Sequence, residues 1–103
     1  MTRLPALAIS AALALSAALA PAALQARSAA PWFTVELAQP ASEGRAIAGG
    51  VVFRCEGTTC TAPRSGDRPL RVCSELRREM GTIASFNANG SPLSEDQLAR
   101  CNG

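Results

Sequence analysis

The sequence predicts an α+β domain: a small antiparallel sheet of three to four strands, two short helices on one face, and disulfide staples. Three observations predict it. Beyond residue 30, short segments of alternating apolar and polar residues come first, followed by a helical pattern, a further alternating segment and a second helical pattern. That order suits an antiparallel sheet with its helices gathered on one side. All four cysteines, Cys55, Cys60, Cys73 and Cys101, fall in this part of the chain. The residues ahead of it read as an export signal, which places those thiols in an oxidising compartment.

Residues 1–26 carry that signal. Arg3 supplies the positive start, and residues 4–19 are Leu, Ala and Ile interrupted only by Pro5, Ser10 and Ser16. Ala20 and Ala22 then offer an A-x-A exit, and a cut after Ala26 is a second option, with the larger Leu24 in place of the first small residue. An apolar core of about 16 residues is short for a hydrocarbon layer that needs roughly 20. Cleavage is therefore expected, with no stable transmembrane segment afterwards. Residues 27–103 are left as a single domain in the periplasm or outside the cell. No cysteine lies near the exit to take a lipid anchor.

Composition narrows the partners. Of 21 alanines, 13 lie in the first 30 residues, so the overall apolar content overstates that of the domain. From Arg27 onward nine arginines, without a lysine, face eight acids. This is far from the basic excess of a nucleic-acid binder.

Along the domain, residues 32–38 alternate, with Phe33, Val35 and Leu37 on one side and Thr34 and Glu36 on the other: a half-buried strand. After a loop containing Pro40, Ser42 and Gly44, residues 46–54 read as a second strand. Ile47, Val51 and Phe53 share its inner face with Cys55, and Gly49 marks a bulge or a close neighbour there. Residues 60–62 return as a third strand, ended by Pro63. Pro69 begins a helix in its favoured first position, with Asp67 near the amino end. Val72 or Cys73, Leu76 and Met80 form its apolar stripe, and Gly81 stops it. Residues 82–88 form a fourth strand with Ile83 and Phe86, closed by the turn dipeptide Asn89-Gly90. Ser94 and Gln97 make a capping box for the last helix, with Leu93 and Leu98 as a hydrophobic staple and Glu95 and Asp96 in the first turn. Two turns of helix do not persist alone, so Cys101 near the end has a mechanical purpose.

The cysteine spacing favours disulfides over zinc. Structural zinc sites bring ligands as two close pairs, whereas here a C-x4-C pair is followed by gaps of 12 and 27 residues. The C-x-x-C of thiol oxidoreductases is absent as well. Segment 51–60, VVFRCEGTTC, reads as strand, turn and strand. A Cys55–Cys60 bridge then joins neighbouring strands, and Cys73–Cys101 ties helix to helix.

No catalytic residue, cofactor site or metal site is expected. The chain has no histidine to activate a serine or cysteine nucleophile. Glu95 and Asp96 are explained by capping, and Glu75 and Glu79, one turn apart among arginines, by a surface ion network. Ser74, Ser85 and Ser94 read as surface or capping residues. Gly44, Gly49 and Gly50 lack the Lys and Ser or Thr of a phosphate loop. Asn89-Gly90-Ser91 spells a glycosylation sequon that the turn already explains. Arg64, Arg68, Arg71, Arg77 and Arg78 are the remaining cluster. They are either solvated charges balanced by Asp67, Glu75 and Glu79, or a surface for anionic groups. Trp32 reads as a flank of the core.

The runs IAGGVVFRCEGTTC, RPLRVCSELRREMG and LSEDQLARCN resemble an uncharacterised family of small exported alphaproteobacterial proteins. The likeness spans residues 32–102, and the cysteine positions are its most specific part. The resemblance implies export and a shared stapled domain, without an activity or a ligand. The function expected is that of a non-enzymatic binding module for an envelope protein or an anionic surface. An inhibitor of a hydrolase is the alternative, and a carboxylate-based enzyme is the third reading. Mass spectrometry of the exported protein should find its first residue between positions 23 and 27. Full-length protein retained in the cytoplasm would overturn the export reading.

Overall fold

The computed structural model describes residues 30–103; the expected signal segment, residues 1–26, lies outside the described residues. Six strands and two helices follow one another: β1 (Phe33–Leu37), β2 (Arg45–Ala48), β3 (Val51–Glu56), β4 (Thr59–Ala62), α1 (Pro69–Met80), β5 (Ile83–Ala88), β6 (Ser91–Pro92) and α2 (Glu95–Asn102). The strands form one sheet in the order β2-β3-β4-β1-β5-β6, and every neighbouring pair is antiparallel. The α+β class stands, and the strand count rises from the expected three to four to six.

The larger of the two additions comes from Gly49 and Gly50. Residues 46–54 are not one strand: Ala48 pairs with Val51, and the two glycines between them form the turn. Both have positive φ, 60° and 75°, as a type I′ hairpin turn requires. The turn reverses the side-chain parity. Ala46 and Ala48 face the core before it and Phe53 and Cys55 after it, whereas Ile47 is 67% exposed on the outer face, opposite Val52. The expected close neighbour of Gly49 is present. A Cβ there would lie 2.6 Å from Cγ2 of Val72 and 2.7 Å from Oγ of Ser65. The second addition is the two-residue β6, which Asn89 (φ 53°) and Gly90 (φ 84°) turn back against β5.

One face of the sheet and the facing stripe of the helices make the core. Phe33, Val35 and Leu37 of β1 join Phe53, Cys60, Ala62, Ile83 and Phe86 beneath Val72, Cys73, Leu76 and Met80 of α1. The chain's three phenylalanines pack together, with ring centroids of Phe53 and Phe86 at 5.6 Å and 5.4 Å from that of Phe33. Ile83 and Phe86, three residues apart, both point inward because the register shifts beside them. Glu36 pairs with Ser85 but Leu37 pairs with Ile83, which leaves Ala84 as the extra residue of a bulge.

Cys55 is bonded to Cys60 and Cys73 to Cys101. The first pair sits directly opposite across β3 and β4. The Cys55 N–H is directed away from β4, to the carbonyl of Gly44, so the two cysteines occupy the narrower kind of antiparallel pair. The second pair fastens α2, whose only fully buried residue is Cys101. Next to it, the Asn102 side chain accepts from the Ile83 N–H and donates to the Ile83 carbonyl, both at 2.8 Å. It thus takes the place of a strand partner at the start of β5, where β6 does not reach.

Removing Cys73–Cys101 by paired serine substitutions should cost about 3.5 kcal/mol by loop-closure entropy, against about 2 kcal/mol for Cys55–Cys60. The hairpin bridge joins strands that the sheet also aligns, whereas α2 has little else to hold it. Denaturant unfolding of the two double variants checks the order. A larger loss for the hairpin pair would refute it.

Candidate functional site

At one end of the sheet the chain leaves an open groove of about 1060 Å³. Its floor is Phe33 and Ala88, at the ends of β1 and β5. One wall is the β4–α1 connection with the start of α1, from Arg64 to Leu70. The other is formed by Ser91, Pro92 and Leu93, continued by Gln97 and Arg100 of α2. Trp32 stands at its edge. The Trp32 N–H donates to Ala62 at 3.1 Å, and its carbonyl accepts from the Asn89 N–H at 2.6 Å. Backbone on either side therefore fixes where the indole is placed. The Arg64 guanidinium carbon lies 4.8 Å from the centre of the Trp32 ring, an interaction worth about 0.5–1 kcal/mol where water has access.

The amino end of α1 opens on this groove without a side-chain cap. Its N-cap is Arg68, followed by Pro69. Asp67 stands just before the N-cap but makes no capping hydrogen bond, the first turn itself contains no acid, and the Asp67 N–H donates to Ser65 Oγ at 3.0 Å. Arg71 and Val72 donate to the Arg68 carbonyl, and the Leu70 N–H finds no acceptor among the described residues. Such an end has partial positive charge and free donors.

A chain of hydrogen bonds holds the loop that forms the first wall. The Glu75 carboxylate on α1 accepts from the Gly49 N–H at 2.7 Å. The Gly49 carbonyl accepts from the Ser65 hydroxyl, and Ser65 Oγ accepts from the Asp67 N–H. The β2–β3 turn, α1 and the groove loop are thereby joined through one glycine. The Gly49 N–H, aided by the Arg71 guanidinium, holds the Glu75 carboxyl below its ordinary value of 4.5.

The arginine cluster read from the sequence is divided in space. Arg64 and Arg68 line the groove, while Arg71 pairs with Glu75 at 3.3 Å, the only ion pair among the described residues. The ion network expected around Glu75 and Glu79 therefore reduces to this one pair, and the nearest partner of Glu75 is a backbone amide. Arg77 and Arg78 lie in the last turn of α1. Trp32, expected to flank the core, does pack against it and also borders the groove. Ser94 and Gln97 form the capping box, with Glu95 and Asp96 in the first turn. Ser74 donates back to the Leu70 carbonyl within α1. Among the described residues no group of His, Cys, Asp or Glu is placed to hold a metal ion, and no helix is long and apolar enough to cross a membrane.

Sequence reading missed Arg100. No local pattern brings it beside Arg64 and Arg68; only the Cys73–Cys101 bridge, which docks α2 on α1, does so. It missed Ser65 for a similar reason, since the carbonyl it meets belongs to a turn read as strand.

The model of a family of unknown function, DUF8200, matches residues 11–103. No curated protein and no solved structure matches the chain. The match agrees with the cysteine-bearing segments in pointing to a family without an assigned activity.

Acid should loosen the Glu75 contact. Because the folded carboxyl titrates below its ordinary value, its contribution is complete above pH 4.5 and fades as pH falls through the lowered value. Melting temperatures of wild type and Glu75→Gln, followed from neutral pH into acid, should therefore converge at the acid end. A gap that persists unchanged there would show that charge on Glu75 is immaterial.

Proposed function

We propose that this chain, which belongs to the DUF8200 family of unknown function, is an exported, non-catalytic binding module whose working surface is the groove beside Trp32. One observation carries the reading. Arg64, Arg68 and Arg100 arrive from a loop, a helix start and a second helix to line one concavity, and none of them takes part in an ion pair among the described residues. Concave sites with a few convergent polar groups over apolar walls are the usual form of ligand pockets.

Other features support it. The cysteines of the described domain are bonded in pairs, which suits an oxidising compartment. Two of the side chains weighed for chemistry have structural partners: Glu75 holds a backbone amide, and Ser94 caps a helix. The opposite face of the sheet is exposed and mixed, with Ile47 and Val52 as its exposed large apolar residues. An isolated pair of that kind does not make a contact patch.

The test compares two variants of the oxidised protein as bait in an envelope extract. Ser91→Trp fills the groove from its exposed rim, and Thr34→Trp adds the same bulk to the exposed sheet face. A partner identified by mass spectrometry and bound again in purified form should weaken about tenfold or more with the first variant and hold with the second. Loss with Thr34→Trp and retention with Ser91→Trp would move the working surface to the open sheet.

A further inference from the structure

We propose that the group recognised in this groove is a phosphate monoester on an apolar body. The proposal rests on the groove being the working surface, as argued above, and adds the chemistry of what it takes.

The first argument is charge. The lining contains Arg64, Arg68 and Arg100 against a single acid, Asp67. Arg71, the neighbour that does have an anionic partner, is the one outside the groove lining. An uncompensated excess of positive charge in a concavity with apolar walls concentrates field there, and a phosphate monoester brings a charge of about −1.5 to −2 at neutral pH.

The second argument is the number and placement of donors. A guanidinium presents five N–H groups in a fixed fork, and two of them match two oxygens of one anion. A carboxylate offers only two oxygens, which one such fork satisfies. Three forks arriving from separate elements, with the open Leu70 N–H at the start of α1 beside them, call for an anion with more faces. The three terminal oxygens of a phosphate monoester provide them. Arg64 is also positioned in advance. Its guanidinium carbon lies 4.8 Å from the centre of the Trp32 ring at the groove's edge, and a guanidinium held on an aromatic ring keeps N–H groups for an anion.

The third argument is the rest of the lining. Trp32, Leu70, Pro92 and Leu93 border the same space, more apolar surface than inorganic phosphate can cover. An alkyl or aryl body on the ester accounts for it. The phosphate group can belong to a soluble ester or to a lipid headgroup, since both present the same terminal oxygens.

Trp32 is the chain's single tryptophan, so its fluorescence reports on the groove directly. The experiment titrates the exported, oxidised protein with hexyl phosphate, hexanoate and inorganic phosphate, and with vesicles containing phosphatidic acid or phosphatidylcholine alone. Hexyl phosphate should bind about tenfold or more tightly than hexanoate and inorganic phosphate, and weaken as salt rises. The Arg68→Gln, Arg100→Gln double variant should lose about tenfold or more of that affinity with its melting temperature kept. Affinity should also rise between about pH 5 and 7 as the ester gains its second charge, because the chain has no histidine to titrate in that window. Response to phosphatidic acid vesicles with none to hexyl phosphate bears out the group and assigns it to a lipid; the reverse assigns a soluble ester. Measurable and equal binding of hexanoate and hexyl phosphate, indifference to the double variant, or silence with every phosphate probe, vesicles included, overturns the proposal. If the proposal fails while the captured partner still depends on Ser91, the groove remains the working surface for a different ligand. If both fail, it is not the working surface.

Discussion

The attachment of α2 governs much of what this domain can present. The helix has eight residues, of which only Cys101 is fully buried, with Leu93 and Leu98 partly buried at its amino end. A segment that short and that polar gains too little from burial and propensity to hold a position by itself. The Cys73–Cys101 bond supplies the position, and two further features act only once it is supplied. Asn102 reaches the backbone of Ile83 and closes the open start of β5, and Arg100 takes its place on the wall of the groove. A single covalent link thus finishes a sheet edge and assembles a candidate binding surface.

The sheet itself relies on a different economy. Its strands are two to six residues long, and the core they share with α1 is one layer deep. Three packed phenylalanines fill its centre, and small residues such as Ala46, Ala48 and Ala62 line the flanks where helix and sheet approach. A small domain buries a limited share of its surface, which is why both cysteine pairs fall inside this core instead of outside it. Gly49 marks the tightest approach. Its missing side chain lets Val72 and Ser65 come close while its backbone bonds on both sides, so substitution there would disturb packing and hydrogen bonding together.

What was legible in the sequence was local. Helix α1 follows from Pro69, its apolar stripe and Gly81, and α2 from the Ser94–Gln97 box, because both signals lie within one or two turns of the element they define. The pairing of the cysteines was legible for the same reason, given a short hairpin and two helices. The Gly49-Gly50 hairpin was misread because Ile47, Val51 and Phe53 all fall at odd positions, as if one alternation ran through, whereas the turn puts Ile47 on the outer face. A glycine pair between alternating segments was the stronger signal, since two successive positive φ values are costly for other residues. The bulge at Ala84 and the groove were not legible at all. Both depend on register with β1 and on the docking of α2, which are properties of the assembled sheet and not of any window of sequence.

The groove loop shows how the parts combine. Residues 63–68 have no regular hydrogen bonding of their own, yet they contain two of the three groove arginines. A loop free to move would surrender much of its interaction energy to ordering when a ligand arrived. Here three contacts order it beforehand: Ser65 on the Gly49 carbonyl, the Arg64 guanidinium on the Trp32 ring, and Arg68 as the fixed N-cap of α1. Each ties the loop to a different rigid element, respectively the β2–β3 turn, the start of β1 and the helix. The backbone that carries Arg64 and Arg68 is therefore ordered along the groove before any anion is present, although like charges repel. That arrangement opposes folding slightly and favours binding, and a surface retained only for solubility would not require it. The same reasoning explains why Glu75 matters beyond its ion pair with Arg71: it accepts from the Gly49 N–H, the Gly49 carbonyl accepts from Ser65, and Ser65 lies in the loop between Arg64 and Arg68.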